Sequence, residues 1–231
     1  MSLKTSKMTR KNLALLTLAF AMCNLMVSAA NAKLQQGANV AEIQSILGRY
    51  ATDTNNDDED PLRTQDPKNR SQALVTLGWE FLKAGDRRTA LKRFLLATKM
   101  DETNASAYFG AAYVCSVENA LDEAITLYRI ALTYDNKSAK TYSNLAKALL
   151  LKDMFSNEAP KLLDMAIQID PNDPETYVTY SRYFADKDDW NAAGAKMNQA
   201  IALGREVESG TIKDFKKHGI QLNQPPQRSA P

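Results

Sequence analysis

Apolar residues between positions 71 and 104 recur at three- and four-residue steps, in two runs separated by Gly85-Asp86. Leu74, Leu77, Gly78 and Phe81 form the first stripe; Ala90, Phe94 and Ala97 form the second. Such spacing puts the residues of a stripe on one side of an α-helix. The stretch therefore predicts two amphipathic helices back to back. The pattern returns three more times. Tyr108, Ala111, Ala112, Ala124, Tyr128 and Ala131 repeat it, with Cys115 in the column held by Phe81. Tyr142, Leu145, Ala146 and Leu149 repeat the first stripe again; Ala159, Leu163 and Ala166 repeat the second one residue late. That extra residue is expected in the loop near Asp153 to Asn157, with Pro160 in the first turn of the helix that follows, where a missing N–H is tolerated.

The fourth copy holds Tyr177, Tyr180, Ser181 and Phe184, then Ala193, Met197, Ala200 and Leu203. Asp173-Pro174 is a strong helix start and Gly204 a stop. The copies span 71–104, 105–138, 139–173 and 174–207. A single helical pair cannot bury its apolar face, whereas stacked pairs bury each other's. The last pair then needs a cover. Residues 206–222 predict a capping helix, with Val207, Ile212, Phe215 and Ile220 toward the fourth pair and His218 at a solvated helix end. The tail 223–231 is expected to be disordered.

The columns resemble the tetratricopeptide (TPR) repeat, whose period is about 34 residues with a W-x2-L-G-x2-Y, A-x3-F, P pattern. Leu74 stands for the Trp, Phe81 for the Tyr and Glu102 for the Pro. The resemblance covers about residues 71–205. It implies an all-α fold, a right-handed α-α superhelix of about four helix pairs plus a capping helix. It also implies a scaffold whose first helices line a concave groove for a protein or peptide segment. By the family's geometry the groove-facing residues are Val75, Trp79, Lys83, Phe109, Tyr113, Ser143, Asn144, Lys147, Val178 and Arg182. Aromatic and Arg side chains are frequent binding anchors, which favours Trp79 beside Tyr113; the alternative is that these two only cover the adjacent helix layer. Some TPR co-chaperones clamp a C-terminal carboxylate with Lys, Asn and Arg. Val75 and Trp79 stand where that clamp needs Lys and Asn, and Lys140 and Asn144 alone do not rebuild it.

The formal net charge is +2, but Lys4, Lys7, Arg10 and Lys11 stand in the first 32 residues, which contain no acid. Without them 25 basic face 27 acidic residues, a net of −2. Mixed signs near neutrality give no general reason to bind nucleic acid. The first 32 residues have their own order: a basic start, the apolar run Leu13–Val27, then Ala30-Asn31-Ala32. This is the order of a secretory signal peptide cut after Ala32. Fifteen apolar residues interrupted by Asn24 fall short of the roughly 20 needed to span a bilayer, so no stable membrane span is expected after cleavage. The style of the segment looks bacterial and predicts a periplasmic or secreted chain. Cys115 is then the only cysteine left, and an oxidising compartment adds no internal disulfide.

Residues 33–70 predict a short amphipathic helix at 38–50, with Val40, Ile43, Ile46 and Leu47 on one face, and then an acidic linker broken by Pro61 and Pro67. The helix is expected to dock on the first pair or on another molecule. Asp53, Asn55 and Asp57 match the first offsets of a calcium loop, but Asp58 stands where Gly is needed and Thr64 where a bidentate Glu belongs. No G-x-S-x-G, phosphate loop or H-E-x-x-H appears, and one His with one remaining Cys gives no convincing couple. The sequence predicts a non-enzymatic chain without cofactor or metal. Its resemblance to exported TPR proteins of pilus assembly implies a partner within an envelope machine.

Overall fold

Helices start here where a side-chain oxygen meets the first unpaired N–H groups. Asp66, Asp86, Asn104, Ser138, Asp173 and Asp189 each accept from a backbone N–H in the turn they open, which satisfies a donor the helix cannot pair internally. The computed structural model describes residues 66–223. Among the described residues it is all-helical: α1 (Pro67–Lys83), α2 (Arg87–Met100), α3 (Ala105–Val117), α4 (Leu121–Tyr134), α5 (Ala139–Lys152), α6 (Ala159–Ile169), α7 (Pro174–Ala185), α8 (Trp190–Ala202) and α9 (Ser209–Lys217). The expected signal segment (1–32), the helix at 38–50, the acidic run with its calcium-like spacing and the tail from 224 lie outside the described residues.

Successive helices pair as α1–α2, α3–α4, α5–α6 and α7–α8, and each pair packs on the next. The repeat columns are the interior. Ala90, Ala124, Ala159 and Ala193 are fully buried, as are Phe94, Tyr128 and Leu163, with Met197 nearly so. Ala at the closest crossing lets two helices approach, and a large residue one turn on fills the gap between pairs. Cys115 is a free thiol, buried as a small apolar residue.

The first two pairs lock through one ring. Phe94 of α2 is fully buried, and it lies on the backbones of two other helices. A Cβ on Gly78 of α1 would sit 2.7 Å from Phe94 Cε1, and one on Gly110 of α3 only 2.3 Å. Neither glycine is needed for an unusual φ; each is needed for lack of a side chain. Nearby, Ser71 Oγ donates to Ala97 O (2.9 Å) and accepts from Asn104 Nδ2 (2.8 Å), while Asn104 Oδ1 caps α3. One buried hydroxyl thus ties α1, α2 and the start of α3 together.

Ion pairs join neighbouring pairs at the surface. Arg87 at the start of α2 bonds Glu118 just after α3, at 3.1 Å. One pair further on, Asp122 at the start of α4 meets Lys152 at the end of α5, with the signs exchanged.

Both ends of the stack are finished differently from its middle. At the N-terminal end Thr76 and Glu80 of α1 are exposed, where the next unit has Gly110 and the buried Val114. At the C-terminal end Phe215 of α9 seats on Ala193, Met197 and Ile201, joined by Val207, Ile220 and Leu222. Ile220 lies where a Cβ on Gly194 would be, at 2.5 Å.

Four expectations need correction. The first helix starts at Pro67, not at 71: Asp66 caps it, and the proline sits where its missing N–H costs nothing. Residues 206–222 are not one helix. Only Ser209–Lys217 is helical, Gly219 turns the chain at φ 77, and Ile220 and Leu222 return to the cap in irregular chain. Ile212 is 45% exposed and Leu203 lies at the surface as the C-cap of α8. His218 is exposed but not merely solvated, since its ring stacks on Trp190 at 3.7 Å. The added residue of the third copy does fall between α5 and α6, in the long turn 153–158.

Gly110→Ala gains about 1 kcal/mol of helix propensity and loses about 1–3 kcal/mol to overpacking against an immobile ring. The expected outcome is a lower urea midpoint, largely recovered when Phe94→Leu is added to the same chain. A midpoint raised by the alanine alone would contradict the ring-on-backbone contact.

Candidate partner-binding groove

The first helices of the pairs, α1, α3, α5 and α7, touch one another in turn and form a continuous layer. Where α1 and α3 meet, Trp79 is the centre of an aromatic group. Its ring is edge-on to Phe94 at 5.1 Å, 6.0 Å from Phe109 and 5.8 Å from Tyr113. Phe109 in turn leans on Tyr128 at 5.8 Å. Trp79 is half-buried and Tyr113 is 36% exposed. The floor is thus rigid, because its lower rings belong to the core, and its upper rings stay open to solvent.

The ten expected groove residues divide. Trp79, Phe109 and Tyr113 come together as described. Lys83 and Lys147 are exposed. Asn144 is half-buried and spends its amide on its own helix, donating to Lys140 O at 2.8 Å. Arg182 is exposed beside Asp186, 3.7 Å away in the same helix. Val75 and Ser143 are buried at 4% and 5% exposure, so the neighbouring helix covers what the repeat pattern assigned to the groove. Val178 faces the other way and packs with the cap cluster around Met197 and Phe215.

Two exposed residues on this layer were not foreseen. Val117 and Leu151 are 43% and 41% exposed, each one turn beyond Tyr113 and Lys147 on the same helical face. They are the 34-residue equivalents of Lys83, so the period that named Lys83 also contained them. The turn after Leu151 adds Met154 and Phe155, the latter 61% exposed. Charge on this layer is one-sided. Helix α3 has no charged residue, and α5 has Lys140, Lys147 and Lys152 with no acid. An apolar strip bordered by cations can hold an extended segment through apolar side chains and carboxylates.

Four tyrosines support the layer from within. Burial raises the Tyr108 phenol to about 12. It pushes Tyr128 and Tyr142 up as well. In Tyr180 burial acts first, and the bond its hydroxyl donates to Asp164 (3.0 Å) adds to it. The Tyr128 and Tyr142 hydroxyls have no hydrogen-bond partner among the described residues. Lys196 lies over the Tyr180 ring at 4.6 Å, a contact that occupies the cation in the core of the last pair. Among the described residues no cluster of His, Cys, Asp and Glu is placed to hold a metal ion, and no helix is long and apolar enough to cross a membrane.

This arrangement is that of known repeat proteins. PilF of Pseudomonas aeruginosa superposes with a TM-score of 0.60 at 21% identity, over 67% of this chain and 71% of that one. MamA superposes at 0.53 and 20% identity, over 62% and 82%. The TPR protein TTC0263 of Thermus thermophilus does so at 0.53 and 16% identity, over 64% and 78%. Neither a family model nor a curated protein matches the sequence. At these identities the likeness is one of fold: the chain is a TPR solenoid.

Two outcomes follow from the tyrosines. Tyr128→Phe should leave the unfolding free energy equal or raise it by about 1 kcal/mol, since a buried hydroxyl without a partner costs about 1–3 kcal/mol, and Phe94 fills the same column unaided. A loss of similar size in urea unfolding would show the hydroxyl to be bonded. A phenol whose folded value is raised holds its proton more tightly when folded. Its contribution is complete below the unfolded value near 10 and is lost as pH climbs from there toward the folded value. Absorbance at 295 nm should therefore show part of the tyrosine signal appearing only together with loss of helical ellipticity, above about pH 11.

Proposed function

We propose that the chain is an exported, non-catalytic scaffold that holds an extended segment of a partner protein along the first-helix layer. The contact centres on Trp79 and Tyr113, continues over Val117 and Leu151, and is flanked by Lys83 and Lys147. The observation that carries this reading is the pair of partly exposed rings on adjacent helices, 5.8 Å apart, resting on a buried ring rather than on mobile side chains. Rigid aromatic groups lose little entropy when a partner covers them. The one-sided charge of α3 and α5 favours a segment that alternates apolar and acidic residues.

Export rests on the order of basic, apolar and small residues in positions 1–32. With a periplasmic destination, the natural setting is the assembly of a cell-envelope machine such as a pilus, a secretion apparatus or an export complex. The TPR fold supports a role in holding partners, because such stacks offer extended surfaces rather than enclosed pockets.

The test is capture of partners from envelope extract by the wild-type chain and by the Trp79→Ala, Tyr113→Ala double variant, with helical ellipticity measured on both. Loss of binding-site aromatics costs about 2 kcal/mol or more each where they are hot spots. The expected outcome is at least about thirtyfold weaker capture by a variant that keeps its helical content. Equal capture would remove the groove from the proposal.

A further inference from the structure

The positive charge of the folded stack is confined to its first pair. Residues 67–100 carry eight basic and two acidic side chains, whereas residues 105–202 carry nine basic and thirteen acidic ones. Helix α2 has five cations and no acid. Arg87 is bonded to Glu118 across the stack. Arg88, Lys92 and Lys99 fall on one face of α2 by helical spacing, with Arg88 and Lys99 exposed and Lys92 half-buried.

The opposite charge lies a few residues upstream in the same chain. Residues 53–60 contain five acids, Asp53, Asp57, Asp58, Glu59 and Asp60, with no base among them. The described chain begins at Asp66, beside the Lys99 end of α2, because Ser71 near the start of α1 bonds Ala97 near the end of α2. Helix α2 has 14 residues, a length of about 21 Å. Six residues, from 60 to 66, reach about 20 Å and thirteen, from 53 to 66, about 45 Å when extended. The acidic run is thus long enough to lie along the whole cationic face and too short to wander far from it.

We propose that residues 53–60 dock in cis on the Arg88–Lys92–Lys99 face of α2, as an electrostatic strap over the first pair. Single exposed ion pairs contribute little, but five acids tethered six to thirteen residues away act at high effective concentration against a face of one sign. The strap also gives the acidic linker an occupation that its failed calcium spacing does not. It competes for α2 with any anionic partner and leaves the groove on the first-helix layer open. The proposal is independent of the groove reading, since none of its residues is in the groove.

The experiment is zero-length carbodiimide cross-linking of the full chain at low ionic strength, read by mass spectrometry of the separated monomer and dimer bands. The neighbouring pairs Asp122–Lys152 and Asp214–Lys217 serve as internal controls. The expected result is a link from a carboxylate in 53–60 to Lys92 or Lys99 in the monomer, lost at about 1 M salt, where the screening length falls to about 3 Å. Links confined to the dimer band would assign the run to a second copy. Links to Lys140 or Lys147 would move it to the groove, and controls without any link from 53–60 would leave it undocked; each overturns the proposal. As an independent readout, the variant Asp57→Asn, Asp58→Asn, Glu59→Gln, Asp60→Asn should melt several degrees lower than wild type at low salt and at the same temperature in 1 M salt. Equal melting at low salt also overturns it.

Discussion

A phenylalanine pressed onto two bare stretches of backbone fixes the spacing of the first three helices. Phe94 fills the gap that Gly78 and Gly110 leave open, and its full burial stabilises the stack by about 1.5–3 kcal/mol. No pair of helices here can do without its neighbour, because each large column residue finds part of its cover in the next pair. Stability in such an array is a sum of pairs and of the interfaces between them. The small residues are as necessary as the large ones, since they decide how near the helices come.

The candidate site is a continuation of that packing toward the surface. Trp79 is held by the ring that closes the core, and Tyr113 is held by Trp79. An aromatic surface built in this way is preorganised, so little is lost in fixing it when a partner arrives. The same dependence limits what can be altered without consequence. A change at Phe94 reaches the groove through Trp79, whereas a change at Val117 or Leu151 stays local. The two ends of the stack are also specialised, one by polar substitution at Thr76 and Glu80 and the other by the cover of Phe215 and Ile220.

Much of this was legible in the sequence, and the limits have physical causes. The buried columns were readable because burial imposes residue size at a fixed period, as in Ala90, Ala124, Ala159 and Ala193. The groove was less readable. Period alone places Val75, Ser143 and Val178 on the first helices, but it does not say which neighbour covers them; the first two are hidden beside an adjacent helix and the third turns to the cap. Val117 and Leu151 were within reach of the same period and were passed over because only Lys83 of that column carried a charge. The cap was misjudged for another reason. Gly219 ends α9 early, and Ile220 and Leu222 pack from irregular chain, where helical spacing has no bearing. Trp190 gave no repeat signal at all, yet it bonds Asp188 through Nε1 at 2.7 Å and stacks on His218.

The exchange of sign between Arg87–Glu118 and Asp122–Lys152 gives the layers a reading order. Were the second pair skipped, by slippage during folding or by deletion of its coding segment, the cationic start of α2 would confront Lys152. Two positive groups would then share one seam, and like charges in direct apposition oppose association. The apolar columns are similar enough from layer to layer to tolerate such a mistake; the charged seam is not. In a molecule assembled from near-copies, this is how a layer distinguishes its rightful neighbour from its neighbour's double.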